Sequence, residues 1–175
     1  MDDSEIIGKV LQGETELYET LVRRYQVRLY YWVLKMVADQ DEAEEICQQA
    51  FVSVYTHLGQ IRNPAAFSVF LFRTALNQTR NYFRSRQKMV ADPPELADGS
   101  SVSDEVSDAD TRFYLHRAIE ELPEKQRLAV SLRVVEGFGF SEIGRIIGTT
   151  ANSARVNFHH AIRNLRIRLS EKNEL

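Results

Sequence analysis

The chain has 175 residues, 43% of them hydrophobic, and a formal net charge of −3, which allows one domain or two small ones with modest cores. No apolar run approaches the length that spans a bilayer, and the acidic N-terminus MDDSEIIGKV lacks the basic and apolar segments of a signal peptide. The single cysteine, Cys47, excludes a disulfide framework and a cysteine-based zinc site, so the composition favours a soluble, cytoplasmic protein without membrane insertion.

The first sixty residues predict three helices. Residues 4–12 suit a short helix that ends at Gly13. Over residues 15–36 apolar side chains recur at spacings of three and four, which indicates a long amphipathic helix. Asp41, with Glu44 three residues later, can cap a third helix. The apolar positions of that helix are Ala43, Ile46, Ala50, Phe51, Val54 and Leu58.

A fourth helix and a linker follow. Asn63 and Pro64 form a favoured helix start, a side-chain cap followed by proline, and the helix runs to about Gln87. Residues 1–90 therefore predict a four-helix domain. Residues 91–110, ADPPELADGSSVSDEVSDAD, are rich in Pro, Asp, Ser and Gly and predict a flexible acidic linker.

Residues 111–175 predict a second helical domain. A helix over residues 111–121 is followed by Pro123, which can open another helix. The apolar side of that helix is formed by Ala129, Leu132 and Val135. The predicted fold is all-α, with a four-helix N-terminal domain and a smaller C-terminal domain joined by the acidic linker.

The stretch SEIGRIIGTTANSARVNF has the pattern of a helix-turn-helix. Ser141 can cap a short helix, and Gly148 can supply the turn because it tolerates positive φ. Thr150 can cap a longer helix that reaches Leu169. Between Glu142 and Glu171 the chain has no acidic residue, while arginines accumulate. Phosphates attract arginine and repel carboxylates, so the exposed side of this helix predicts contact with DNA in the major groove.

A second segment without acidic residues lies between Glu45 and Asp92. Its basic residues are Arg62, Arg73, Arg80, Arg84, Arg86 and Lys88, and its aromatic residues include Phe67, Phe70, Phe72, Tyr82 and Phe83. Basic side chains follow a phosphate backbone and aromatic rings receive bases, so this segment favours strand-separated DNA. Phe67, Phe70 and Leu71 also suit an ordinary core.

The third helix is acidic at its start and polar on its exposed side. Acidic residues in a first turn are favoured by the helix dipole, and a docking surface for a basic partner is the functional alternative. The four histidines have no evident nucleophile or metal-ligand partners, so the sequence predicts no catalytic, metal or cofactor site. Cys47 is expected to be a small core residue.

Four stretches carry a family resemblance: LYETLVRRYQVRLYYWV, DEAEEICQQAFVSVYTHL, FSVFLFRTALNQTRNYFRSR and IEELPEKQRLAVSLRVVEGFGFSEIGRIIG. In this order the chain resembles the bacterial RNA polymerase sigma factors of the extracytoplasmic-function group of the sigma-70 family. That group keeps conserved regions 2 and 4. The resemblance implies that residues 1–90 are region 2, residues 91–110 the linker, and residues 111–175 region 4.

The resemblance also implies a role for individual residues. The third helix would dock on the clamp helices of core RNA polymerase through Glu42, Glu45, Gln48, Gln49 and Phe51. The loop of residues 60–66 and the fourth helix would read the melted minus-ten element through Arg62, Asn63, Arg73, Asn77, Arg80, Asn81 and Arg84. The last helix would read the duplex minus-thirty-five element through Asn152, Ser153, Arg155, Val156, His159 and Arg163. The polymerase flap and an anti-sigma factor are the further implied partners, and a stress or envelope response is the implied setting.

The chain departs from the family pattern at several positions. Gln49 stands where an acid is frequent, and Phe70 stands where tryptophan is common. Asn157 and His160 stand where arginine is frequent, and these two departures imply an altered base preference.

Two other classes of protein remain open on the residues alone. A free-standing helix-turn-helix repressor would need a dimer interface to read two half-sites, and a nucleic-acid enzyme would need a catalytic site.

Overall fold

A computed structural model of the chain describes residues 1–61, 63, 66–89 and 108–173. The chain divides into two compact units, Met1–Ala97 and Asp98–Leu175. Both units are helical, and no strand occurs in the described ranges, so the predicted all-α fold is confirmed. The predicted linker lies outside the described residues except for its last three positions. In the same ranges, no helix is both long and apolar enough to cross a membrane.

The first unit contains four helices: α1 (Asp3–Leu11), α2 (Tyr18–Val37), α3 (Gln40–Thr56) and α4 (Phe67–Met89). Short 3-10 turns at Thr15–Leu17 and Leu58–Gln60 precede α2 and follow α3. α2 packs against α3 and α4, and α1 also packs against α2. The apolar spacing of each helix explains this arrangement, because it places one continuous stripe against the core.

The core of this unit contains the side chains that the spacing predicted. Leu21, Leu29 and Val33 of α2 are fully buried, and the six predicted apolar positions of the third helix are all buried. Aromatic pairs join the helices, with ring centroids 5.5 Å apart for Tyr25 and Phe67 and 5.0 Å apart for Trp32 and Phe72. Such pairs stabilise a core beyond the area that they bury.

Two predicted helix starts in this unit are wrong. α3 begins at Gln40, because Asp39 rather than Asp41 is the cap and its Oδ1 accepts a hydrogen bond from the Glu42 N–H at 3.1 Å. α4 begins at Phe67 instead of directly after Asn63. The Asn63 carbonyl accepts a hydrogen bond from the Ala66 N–H at 2.9 Å, so Asn63 belongs to a turn before the helix.

The second unit contains α5 (Asp108–Glu120), α6 (Glu124–Val130), α7 (Phe140–Ile147) and α8 (Ala151–Asn173). α8 is the central element, since α5, α6 and α7 all pack on it. Buried apolar side chains from α5, α6, α8 and the turn between α5 and α6 form one cluster: Ala118, Leu122, Val130, Ala161 and Leu165. Gly139 caps α7 in place of the predicted Ser141, because the Glu142 carboxylate reaches back and accepts from the Gly139 N–H at 2.7 Å.

The end of α6 differs from the prediction. Helix α6 continues into a π-helical turn, Ser131–Val135, with five-residue hydrogen bonding such as Glu136 N–H to Ser131 O at 3.2 Å. A π turn widens the helix and shifts the direction of the side chains that follow it. Val135, which the spacing placed on the apolar side with Leu132, is therefore 60% exposed.

Candidate nucleic-acid interface

The helix-turn-helix is formed by α7, a three-residue turn and α8. α7 is followed by Gly148, whose φ of +85° is in the left-handed region that glycine adopts without strain. Gly148 and Thr149 both donate their N–H groups to the Gly144 carbonyl, at 2.9 and 2.8 Å. Thr150 Oγ1 accepts from the Ser153 N–H at 3.0 Å, so Thr150 caps α8 as predicted.

The two helices of this motif approach closely at Gly144. A Cβ atom at this position would lie 2.9 Å from the Thr149 oxygen and 3.0 Å from the Ala151 nitrogen, both backbone atoms. Gly144 is buried, and the backbone of the turn fills the space where a side chain would be. The absence of a side chain at Gly144 therefore allows the turn to pack on α7, and this packing sets the orientation of α8 relative to α7.

The exposed side of α8 is polar and basic. Five of the six residues predicted to read duplex DNA are exposed and one, Ser153, is half-buried: Asn152, Ser153, Arg155, Val156, His159 and Arg163. Val156 is 44% exposed and gives this side of α8 an apolar group, of the kind that can contact the methyl group of thymine. Asn157 is half-buried and donates through Nδ2 to the Ser153 carbonyl at 2.9 Å, so its side chain is bonded to its own helix.

A second polar side lies along α4. Arg73, Asn77, Asn81 and Arg84 are exposed and Arg80 is half-buried. Their spacing of three, four and seven residues places them on one stripe of the helix, and Arg84 donates to Asn81 Oδ1 at 3.4 Å. Asn63 is exposed, whereas Arg62 lies outside the described residues.

Aromatic side chains divide between the core and the surface of α4. Phe67 and Leu71 are fully buried and Phe70 is half-buried, so the core interpretation holds for the first two and only in part for Phe70; Phe72 is fully buried as well. Phe83 is exposed, with its ring centroid 5.2 Å from that of Tyr82. The Arg86 guanidinium lies 5.5 Å from the Tyr82 ring centroid and donates to the Tyr82 hydroxyl. The C-terminal end of α4 thus presents rings beside arginines.

α3 presents an acidic and amide-rich surface. Glu45, Gln48 and Gln49 are exposed and Glu42 is half-buried, and Gln49 Nε2 donates to Glu45 Oε1 at 2.7 Å. Phe51 is only 7% exposed, and its carbonyl accepts from the Tyr18 hydroxyl at 2.7 Å. The structure therefore places Phe51 mainly in the core, apart from the other four residues of the predicted docking surface.

A groove between α2 and α3 adjoins this surface and was not predicted. It has a volume of about 390 Å³ and is lined by Val22, Gln26, Val27, Tyr30, Tyr31, Glu44, Cys47, Gln48 and Phe51. Val27 and Tyr31 are each 59% exposed. The sequence signal was present: two large apolar residues four positions apart on α2, outside its buried stripe.

The cysteine in the wall of this groove is chemically quiet. Cys47 is 7% exposed, and burial raises the pKa of its thiol to about 12. Because its pKa is far above neutral, Cys47 is almost entirely protonated near neutral pH. The reactive form of cysteine is the thiolate, so this thiol is expected to be unreactive.

In the described part of the chain, no three His, Cys, Asp or Glu side chains are grouped so that they could hold a metal ion.

Sequence comparisons match both units to conserved regions of one family. The family model described as Sigma-70 region 2 matches residues 21–89, and the model described as Sigma-70, region 4 matches residues 112–165. The RNA polymerase sigma-H factor of Pseudomonas aeruginosa is 25% identical over 172 residues, covering 91% of this chain and 89% of that protein. The ECF RNA polymerase sigma-E factor of Escherichia coli K12 is 27% identical over 174 residues, covering 92% and 91%.

Solved structures share the fold. CnrH, in complex with the cytosolic domain of CnrY, has a TM-score of 0.71 and 18% identity and covers 97% of each chain. The sigma factor RpoE from Bartonella quintana, in complex with the anti-sigma factor NepR, has a TM-score of 0.65 and 17% identity, covering 87% of this chain and 96% of that one.

The all-helical fold and the basic surfaces of α4 and α8 indicate a DNA-binding protein that acts in transcription, with a helix-turn-helix in its second unit. The region 2 and region 4 matches together cover more than half of the chain. The chain belongs to the sigma-70 family, in its extracytoplasmic-function group. It is a sigma factor, which binds core RNA polymerase and directs promoter recognition, DNA melting and transcription initiation. This assignment decides between a sigma factor and a free-standing repressor.

Proposed function

We propose that α8 reads the minus-thirty-five element of the promoter in the major groove. The observation that carries the proposal is the exposed side of α8, which has no acidic residue before Glu171 and has Asn152, Arg155 and Val156 in its first turns. The early residues of a recognition helix are those that meet base edges. Arg163 and Arg166, further along, lie where arginines contact phosphates.

The stripe on α4 binds the melted minus-ten strand. Arg73 and Arg84 follow the phosphates, Asn77 and Asn81 lie between them, and Asn63 contributes from the preceding loop. The support is the shared stripe of these side chains and the exposed rings at the end of α4, because arginines with adjacent rings suit single-stranded DNA. Arg62 belongs to this set on the family resemblance.

The third helix docks on the clamp helices of core polymerase. Glu42, Glu45, Gln48 and Gln49 supply acidic and hydrogen-bonding groups for a basic partner, and the adjoining groove supplies apolar surface. Region 4 contributes a second contact, to the polymerase flap, on the family resemblance. The polymerase performs the chemistry, and this chain acts in the cytoplasm without a catalytic site or cofactor of its own.

An anti-sigma factor controls this chain, in a stress or envelope response. The support is indirect, since the RpoE and CnrH structures are named as complexes with NepR, an anti-sigma factor, and with CnrY. Co-purification of the chain from its own cells, followed by addition of the captured partner to a transcription assay, tests this part. If no captured protein other than the polymerase subunits inhibits transcription, the proposal is contradicted.

Arg155→Ala should weaken binding of the polymerase complex to the upstream duplex by about 1–3 kcal/mol and relax the preference at one base pair. The reason is the loss of a bidentate guanidinium contact to a base edge. Titration of promoter duplexes that carry each base at each position measures it. Arg166→Ala is the comparison, because loss of a phosphate contact weakens all sequences equally. Unchanged base preference in Arg155→Ala would contradict the placement.

Asn63→Ala should reduce open-complex formation about tenfold while polymerase binding stays within about twofold. In this proposal the exposed Asn63 amide hydrogen-bonds a base that has left the duplex. Permanganate footprinting measures melting, and a fluorescence titration with core polymerase measures docking. Gln12→Ala, an exposed amide in the loop after α1, is the control. Equal loss of melting and docking would mean that Asn63 has a structural role.

A further inference from the structure

Phe140, the first residue of α7, lies under two guanidinium groups from different elements. Arg133 of the π-helical turn is 5.0 Å from the centroid of the Phe140 ring, and Arg155 of α8 is 5.4 Å from it. Both distances lie within the range in which a cation is attracted to the face of an aromatic ring. The sequence analysis assigned DNA reading to Arg155 and did not include Phe140 among the reading residues.

The ring is held from several sides. The Arg133 guanidinium, which lies over it, donates to the Phe138 carbonyl at 3.0 Å, so this cation is anchored to the backbone just before α7. The Phe158 ring of α8 has its centroid 5.6 Å from that of Phe140. Phe140 is half-buried, and these contacts make its ring a platform beside the first turns of α8.

A platform of this kind affects what a guanidinium can do. An arginine side chain has many rotamers, and fixing it at a base edge costs conformational entropy. Stacking on a ring uses the face of the guanidinium and leaves its edge, with the N–H donors, free. The bidentate contact of arginine with O6 and N7 of guanine uses that edge.

We propose that Phe140 is a positioning residue for base reading: its ring orients the Arg155 guanidinium so that the free edge meets a guanine in the major groove. This inference rests on the proposed role of α8 in reading the upstream element. It extends the reading site to a residue of the preceding helix that does not itself touch DNA. Base preference at one promoter position then depends on an aromatic side chain outside the recognition helix.

The test is selection from a randomised duplex library by the reconstituted complex of the full chain with core polymerase. Arg155→Ala should abolish a guanine preference at one position. Phe140→Leu should reduce the same preference about two- to fivefold, the factor of an exposed cation–π contact, and Phe140→Tyr should retain it. In the double variant Phe140→Leu/Arg155→Ala, the Phe140 change should add nothing, because the ring acts through Arg155.

The outcomes separate this inference from the proposed function. If Arg155→Ala abolishes the preference and Phe140→Leu leaves it unchanged, the role of Phe140 is wrong and the role of α8 stands. If Arg155→Ala changes no preference, both are wrong. If Phe140→Leu weakens all duplexes equally, or acts equally with Arg155 absent, the ring supports the fold only and the inference is overturned. Circular dichroism of each variant identifies any that fails to fold, and Phe140→Tyr then provides the comparison.

Discussion

Replacing Arg73 and Arg84 together by glutamate should reduce open-complex formation about 100-fold, with polymerase binding nearly unchanged. Both side chains are exposed on the α4 stripe, eleven residues apart and therefore on the same side of the helix. Each substitution removes an attraction to phosphate and adds a repulsion, in a site where the strand must be held in its melted form. Because neither side chain is buried, the fold of the first unit should persist.

The matched control is Lys9→Glu with Arg23→Glu, which changes the net charge of the same unit by the same amount. Both control residues lie outside the α4 stripe, in exposed ion pairs with Glu14 and Glu19. Exposed pairs of this kind contribute little to stability. Melting is measured by permanganate reactivity and docking by fluorescence. If the control pair lowers melting as much as the α4 pair, general charge rather than the stripe governs the process.

Gly144→Val should destabilise the second unit by about 3 kcal/mol and abolish reading of the upstream element. Even the first side-chain atom would meet the backbone of the turn, at 2.9 Å from the Thr149 oxygen. Backbone atoms cannot swing aside as the end of a side chain can, so α7 and α8 would have to separate. Thermal unfolding followed by circular dichroism should show a transition lowered by roughly 10 °C or more.

Gly8→Val is the matched control, because Gly8 is also helical and nothing lies within 4 Å of the position that its Cβ would take. This variant should be neutral or slightly more stable, since glycine is a poor helix former. Gly144→Ala should fall between wild type and Gly144→Val. Equal stability of Gly144→Val and Gly8→Val would show that the close approach in the helix-turn-helix tolerates a side chain.

Much of the helical architecture follows from apolar periodicity. The six apolar positions that the spacing predicted for the third helix are all buried. The turn at Gly148 and the cap at Thr150 were also predicted. A left-handed residue favours glycine and a helix cap favours a side-chain acceptor such as threonine, so both features can be recognised from residue type alone. Local chemistry of this kind does not depend on the neighbouring elements.

The errors occur where two local solutions compete or where the helix changes type. Asp39 and Asp41 are both good caps by residue type, and it is Asp39 that caps α3. The π turn after α6 breaks the spacing of three and four, so Val135 was placed on the wrong side. No residue type in that stretch distinguishes a π turn from an α-helix, and the selection therefore depends on tertiary contacts.

The candidate site was predicted in part for a similar reason. Helical spacing predicted the exposed side of α8, because it depends on one helix only, whereas the α4 set came from the family resemblance. The groove between α2 and α3 and the stacking of Arg155 on Phe140 each involve two elements. The pattern of a single helix contains no information on contacts between elements, so these two features could be identified only from the structure.

Transcription with purified core RNA polymerase tests the central claim most directly. Core polymerase alone, core with this chain, and core with the Arg73→Glu/Arg84→Glu chain are compared on fragmented genomic DNA, with RNA 5′ ends sequenced. Specific start sites should appear only with the wild-type chain and should share two sequence elements upstream. The same start sites with core alone, or none with the wild-type chain, would contradict the account.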